Sequence, residues 1–288
     1  MYKQISLLFL LLVVLSGCVQ KPSLEQLGAQ KSQVPIKLYI YDCGHIQAKN
    51  MSLFDPTLKQ GTVAELANTC YLIEHPKGTI FWDAGLPDEL YGVKGGENWF
   101  NGSFNMQVQK TLTSQFKASN VDPKKIDYLV FSHLHNDHTG NAKLFKNSTW
   151  VMQQKEYDIA FGPMAKKYGY NPDFYKFDSA QKMKLLDGNF DFFDDGSVIL
   201  VSTPGHSPGH QSLIVKLPKT GTVFISGDCF VTYKHRENYG IPIWGDKKSS
   251  IHSFVKIDNL LEKTKATLWI PHDKKLFDSQ KHTPEYYK

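Results

Sequence analysis

The sequence predicts an α/β fold in which helices cover the outer faces of packed β-sheets. Three observations carry this expectation. Short runs rich in β-branched and aromatic residues are bounded by Gly, Pro or Asn, as strands are; helical patterns alternate with them; and the alternation recurs in two similar halves. From residue 37 onward no Pro/Gly/Ser linker, shift of composition or solenoid-type repeat divides the chain, so a single domain is expected over 37–288.

Taken in order, residues 38–42, 70–74 and 79–82 suit strands, and 106–117 reads as a helix. Residues 126–131 form a compact apolar run that ends at a cluster of histidines, the pattern of a buried strand feeding a functional loop. In the second half, 198–202, 211–215 and 223–226 read as strands. A helix over 249–263 follows, with Ile251, Phe254, Ile257 and Leu261 recurring at three- or four-residue steps as an apolar stripe. A last strand over 267–270 runs into Pro271-His272.

The 288 residues are 41% apolar and 13% aromatic, enough for a sizeable core. The 33 basic and 28 acidic residues give a formal charge of +5 without long runs of one sign, which excludes a nucleic-acid groove. The N-terminus stands apart: Lys3 precedes an apolar run over 7–15, closed by Leu15-Ser16-Gly17-Cys18. This pattern resembles a bacterial lipoprotein signal, and the run is shorter than the about 20 residues a spanning helix requires. The resemblance implies a lipidated Cys18, a polar tether over 19–36, and a domain anchored in the cell envelope facing the periplasm. An oxidising compartment allows one intramolecular disulfide among Cys43, Cys70 and Cys229, and the sequence leaves open whether it forms. None of the three has a zinc-type spacing, and Cys229 reads as a small buried residue.

The most informative segment is Ser132-His133-Leu134-His135-Asn136-Asp137-His138. Three imidazoles and a carboxylate within six residues are the donors that zinc and related divalent ions prefer, and burying them together without a counter-charge is costly. His-x-His-x-Asp-His after a strand resembles the signature of the metallo-β-lactamase superfamily, and the other motifs follow in order. Phe81-Trp82-Asp83-Ala84-Gly85 is similar to the first, whose Asp, here Asp83, supports the site without binding metal. Thr203-Pro204-Gly205-His206, Ser226-Gly227-Asp228 and Pro271-His272-Asp273 match the remaining three. The resemblance implies a four-layer αβ/βα sandwich and two divalent ions, zinc in the first instance, with iron, cobalt or manganese as alternatives. His133, His135 and His206 would hold one ion, Asp137, His138 and His272 the other, and Asp228 both. Such a pair activates a bridging water as hydroxide near neutral pH. His210 reads as a structural hydrogen-bonding residue, and His45, His75, His235, His252 and His282 lie outside every motif.

Zinc β-lactamases usually place Cys or a non-coordinating residue where Asp228 stands, which argues against that branch. Tyr41-Asp42-Cys43-Gly44, Asn50-Met51-Ser52-Leu53-Phe54, Cys70-Tyr71-Leu72-Ile73-Glu74-His75-Pro76-Lys77-Gly78 and Leu268-Trp269-Ile270-Pro271-His272-Asp273-Lys274 resemble stretches of the N-acyl homoserine lactonases. That likeness implies hydrolytic opening of a small-molecule lactone, with Asp137 relaying a proton to the leaving alkoxide, and allows a homodimer. Met51, Leu53 and Phe54 are candidates for an acyl-chain pocket. The lactonases commonly carry a tyrosine three residues after the bridging Asp, where it bonds the lactone carbonyl; this chain has Val231 there and Tyr233 two further on, so Tyr233 is the candidate donor. A phosphotriesterase or broad esterase of the same fold, and a metal-binding lipoprotein without turnover, remain as alternatives.

Overall fold

The computed structural model describes residues 33–176 and 181–288. The lipoprotein-like segment with Cys18, and most of the expected tether, lie outside the described residues.

Strands β1 (Lys37–Ala48), β2 (Ala64–His75) and β3 (Gly78–Trp82) form an antiparallel meander, with Ile40 opposite Tyr71 and Tyr71 opposite Trp82. The short strands β4 (Glu97–Trp99) and β5 (Phe104–Gln107) make a hairpin that joins the far half of β1. After helix α1 (Leu112–Ala118), β6 (Tyr128–Val130) pairs parallel with β3. A single helical turn, α2 (Asn136–Thr139), leads to β7 (Thr149–Gln153), helix α3 (Gln154–Ala160) and β8 (Met183–Leu186), which continue the sheet in parallel.

The second sheet contains β9 (Phe190–Asp191), β10 (Val198–Ser202), β11 (Gln211–Leu217) and β12 (Gly221–Ile225), all antiparallel. Helices α4 (Tyr233–Asn238) and α5 (Lys247–Thr264) then carry the chain to β13 (Thr267–Trp269), parallel to β12. Helix α6 (Lys274–Ser279) and β14 (Tyr286–Tyr287) return it to β1 of the first sheet. Among the described residues the sheets have nine and five strands.

Side-chain alternation explains the layers, because successive residues of a strand point to opposite faces. Ile80 and Trp82 of β3, with Val130, face Leu200, Leu213 and Val223 of the other sheet, forming the core between the two. Their neighbours Phe81 and Leu129 turn outward against Phe116 of α1. Ile199, Ile214 and Phe224 turn outward against Phe254, Ile257 and Leu260 of α5. Strands buried on both faces read as continuous apolar runs, and the result is helix, sheet, sheet and helix in four layers.

Two expectations are corrected. Residues 106–117 are not one helix: Met106 belongs to β5, and α1 starts at Leu112, where the Thr111 side chain caps Ser114 N–H. On α5 the stripe runs through Phe254, Ile257 and Leu260, while Ile251 is 47% exposed. The first turns of α5 instead bury Ser250 and Ser253. Small residues are needed there because the 203–206 loop packs close: Ser253 Oγ donates to Pro204 O at 2.6 Å, and a Cβ on Gly205 would lie 2.4 Å from Ser250 Oγ. A disulfide joins Cys43 and Cys70 across β1 and β2, and Cys229 is free and buried.

Candidate metal centre

Five strands end at one place. Asp83 follows β3, the 132–138 segment follows β6, His206 follows β10, Asp228 follows β12 and His272 follows β13. Rigid strands fix where each loop begins, and the loops carry the donors.

The seven predicted side chains converge as two groups, His133, His135 and His206, and Asp137, His138, Asp228 and His272. In the first, His135 Nδ1 lies 2.9 Å from His133 Nε2 and 3.0 Å from His206 Nε2. Asp228 Oδ2 is 3.8 Å and 3.5 Å from the same two Nε2 atoms. In the second, Asp228 Oδ1 is 3.3 Å from His138 Nε2 and 3.2 Å from His272 Nε2, and Asp137 Oδ2 is 3.5 Å from both. One carboxylate thus gives an oxygen to each group.

These residues fit a pair of divalent cations. Zinc–nitrogen bonds of about 2.0–2.1 Å in a tetrahedron place donor atoms roughly 3.3 Å apart, close to the spacings here. Buried polar atoms are almost always hydrogen-bonded. Yet His138 Nε2 and Asp228 Oδ1 are buried without a hydrogen-bond partner among the described residues, as is His206 Nδ1. Burial lowers the pKa of His133, His135 and His206, so they present neutral lone pairs. Burial opposes charge on His138 and His272 as well, but there Asp228 and Asp137 outweigh it and raise both. A cation entering the second group therefore displaces protons.

The far side of most of the rings is fixed, which sets each tautomer and orientation. His133 Nδ1 meets Ser132 Oγ at 3.0 Å, His138 Nδ1 meets Asp83 Oδ2 at 3.0 Å, and His272 Nδ1 meets Ala67 O at 2.7 Å. Asp83 also accepts Ser132 N–H at 2.7 Å, and it does so from a left-handed backbone, φ 60°. Such a conformation is uncommon for a non-glycine residue and concentrates at functional sites. The backbone N–H of Asp228 donates to His210 Nε2 at 2.9 Å, so His210 carries its proton on Nδ1 and gives it to Thr203 O at 3.0 Å. Burial pulls the His210 pKa down to about 4. This neutral ring props up Asp228, and it requires Gly227, where a Cβ would stand 2.6 Å from Nε2.

Glu156 has no motif around it, and sequence reasoning missed it. Fully buried at the start of α3, it accepts Leu134 N–H at 2.8 Å and Tyr170 O–H at 2.8 Å on one oxygen. The other accepts Ser207 O–H at 2.7 Å and Gly209 N–H at 3.0 Å. It ties the loop of His133 and His135 to the loop of His206.

Tyr233 is not brought to the centre. Its hydroxyl donates 2.6 Å to Leu268 O, and the residue does not line the cleft above the donors. Its backbone opens α4, and the N–H bonds Asp273 Oδ2, which turns the ring along β13. Val231 is buried in an apolar cluster with Met51 and Phe104. The cleft has a volume of about 320 Å³, with His135, Asp137, His206, Asp228 and His272 on its floor. Ile46, Phe54, Leu66, Phe104, Met106 and Trp244 give it an apolar wall. Of the three candidates for that wall, Phe54 reaches it; Met51 and Leu53 pack behind.

Comparison with known proteins agrees with this geometry. The family model described as the metallo-beta-lactamase superfamily matches residues 63–266. The N-acyl homoserine lactonase AttM of Azorhizobium caulinodans is 32% identical over 268 residues, 88% of this chain and 98% of its own length. An N-acyl homoserine lactonase of a Bacillus species is 29% identical over 260 residues, covering 87% of this chain and 98% of its own. Among solved structures, an N-acyl homoserine lactone hydrolase with the product N-hexanoyl-L-homoserine at its catalytic metal centre superposes with a TM-score of 0.77. It is 26% identical and covers 88% of this chain and 100% of its own.

Proposed function

Because this chain belongs to the metallo-β-lactamase superfamily, we propose that its cleft opens the lactone ring of N-acyl homoserine lactones by hydrolysis. The observation that carries the reading is the junction of a two-cation donor set with an apolar wall in one cleft. A lactone ring is a small polar head on an apolar acyl chain, and each buried methylene contributes about 0.8 kcal/mol. When bound, the two ions, zinc in our reading, supply an activated water and an electrophilic anchor for the carbonyl oxygen.

The chain's own residues do the rest. Asp228, propped by His210, holds the two donor groups in register beneath the cleft. Asp137 is the partly exposed carboxylate on the floor. It takes the proton of the attacking water and returns it to the ring oxygen as the acyl C–O bond breaks. Its place is held by Asn68, whose side-chain amide donates to Asp137 O at 2.7 Å. The products are one carboxylate and one hydroxyl on an intact N-acyl chain, with one proton released per turnover. Mass spectrometry should show a product heavier by one water with its amide bond unbroken, and chelation should abolish its formation. Free homoserine lactone plus a fatty acid would refute the reading. So would turnover of phosphotriesters by an enzyme inert toward lactones.

We further infer that the domain is lipid-anchored in a bacterial envelope and faces the periplasm. The Leu15-Ser16-Gly17-Cys18 sequence supports this, as does the Cys43–Cys70 disulfide, since disulfides persist in oxidising compartments. Cys18→Ser should release the chain from membranes washed with carbonate; retention would overturn the anchor.

A further inference from the structure

The mouth of the cleft exposes large apolar side chains on both lips. Phe100, at the tip of the β4–β5 hairpin, is 48% exposed, Tyr168 and Trp244 are each 37% exposed, and Ile243, beside Trp244, is 65% exposed. Single exposed apolar residues are ordinary, but several around one opening mark an interaction surface. At the hairpin tip Phe100 and Asn101 both have positive φ, 51° and 54°, a region that bulky residues rarely enter. Phe100 packs on Phe104 at 5.6 Å, Phe104 on Phe54 at 5.3 Å and Phe54 on Trp244 at 5.3 Å, so one lip is a continuous aromatic band. Across the opening the Phe100 ring reaches Gly169, at the end of the turn that carries Lys166, Lys167 and Tyr168. Both lysines are exposed and line the same cleft. The acidic residue on the hairpin, Glu97, is engaged by Trp99 Nε1 at 2.8 Å.

Indole and phenol rings with lysines beside them are the composition of a protein surface that sits at the headgroup level of a bilayer. We propose that Phe100, Tyr168, Ile243 and Trp244, with Lys166 and Lys167, form a membrane-contact rim that seats the mouth of the cleft on anionic phospholipid. A second copy of this chain paired rim to rim would bring four lysines into one interface, which is repulsive. An acyl chain inside the cleft would leave Ile243, which does not line it, in water, whereas a lipid surface engages all six at once. The 15 residues from Cys18 to Gln33 reach at most about 50 Å, which exceeds the roughly 36 Å that β1 spans from Lys37 to its mouth end at Ala48, so a chain fixed at Cys18 can seat its rim on the same bilayer. On the lactonase reading, an amphipathic substrate would then pass from lipid into the cleft without crossing water. The contact itself rests on the rim residues alone.

The test uses the full chain with phosphatidylcholine vesicles, with and without phosphatidylglycerol, whose acyl chains are brominated at a shallow position. Trp82, Trp150 and Trp269 are buried in the core, so quenching of indole emission reports Trp244 and Trp99. We expect quenching that needs the anionic lipid, is largely lost in Trp244→Phe and weakens in high salt. Loss of each lysine should weaken the vesicle interaction by about fivefold, so the Lys166→Glu/Lys167→Glu double variant should need far more anionic lipid. Unchanged metal content and unfolding midpoint show that the variants are folded. Emission indifferent to brominated lipid overturns the proposal, as does quenching indifferent to anionic lipid and to lysine reversal. Quenching that persists in Cys18→Ser supports the rim even if the anchor is absent. A chain that sediments through Cys18 without quenching refutes the rim and leaves the anchor standing. The readout is fluorescence, so a failure of lactone turnover leaves the result intact.

Discussion

Asp228 is the residue on which both donor groups depend, since its two oxygens face different sets of imidazoles. Asp228→Ala should leave each set one donor short, reduce bound metal to one ion or none, and lower turnover by more than about a hundredfold, the upper loss seen for mere supporting partners. Metal analysis that finds two tightly held ions in this variant would remove the bridging role. Tyr233 is the opposite case. Its hydroxyl is spent on Leu268 O, so Tyr233→Phe should leave turnover unchanged and cost about 1 kcal/mol of stability, the net worth of one hydrogen bond. A large fall in turnover with unchanged stability would return Tyr233 to the reaction.

At the scale of elements, the motif loops were legible because each directly follows an apolar strand, and one of them packs four donors into six residues. The 132–138 segment could be read from its own seven letters. Glu156 could not, because its role exists only after α3 has brought it between two loops remote in sequence, with Leu134 on one side and Gly209 on the other. The β5 strand was hidden for a related reason: Phe104 and Met106 are buried by a cluster built from β1, β2 and the 84–90 segment, so their partners lie outside any local window. Ile251 carried a helical period but packs on nothing deep, since the start of α5 is reserved for small residues against the His206 loop. Glu156→Gln should turn an amide N–H₂ toward two of four donors, at about 1–3 kcal/mol for each one left unsatisfied, and weaken metal binding by about 10- to 100-fold. Isothermal titration of the apo protein with zinc would show no such change if the residue served packing alone.

Across the whole molecule, the Cys43–Cys70 disulfide closes a loop of 27 residues between the first two strands. Chain-entropy arguments assign such a closure about 3–4 kcal/mol. A Cys43→Ala/Cys70→Ala variant should unfold at correspondingly lower denaturant with its active-centre distances intact. An unchanged midpoint would show that the reduced chain loses nothing. The donor sets have a second consequence for the molecule as a whole. Each draws two side chains from either sheet: His133 and His135 meet His206 and Asp228, while Asp137 and His138 meet Asp228 and His272. Bound ions are therefore rivets across the seam between two halves, and the seam's resistance to opening becomes a function of free metal. Each tenfold rise in free zinc above its dissociation constant should add about 1.4 kcal/mol per ion to the unfolding free energy. In the stripped protein, amide exchange should speed up first at the ends of β6, β10, β12 and β13, which carry the donor loops, before the outer strand β4 responds.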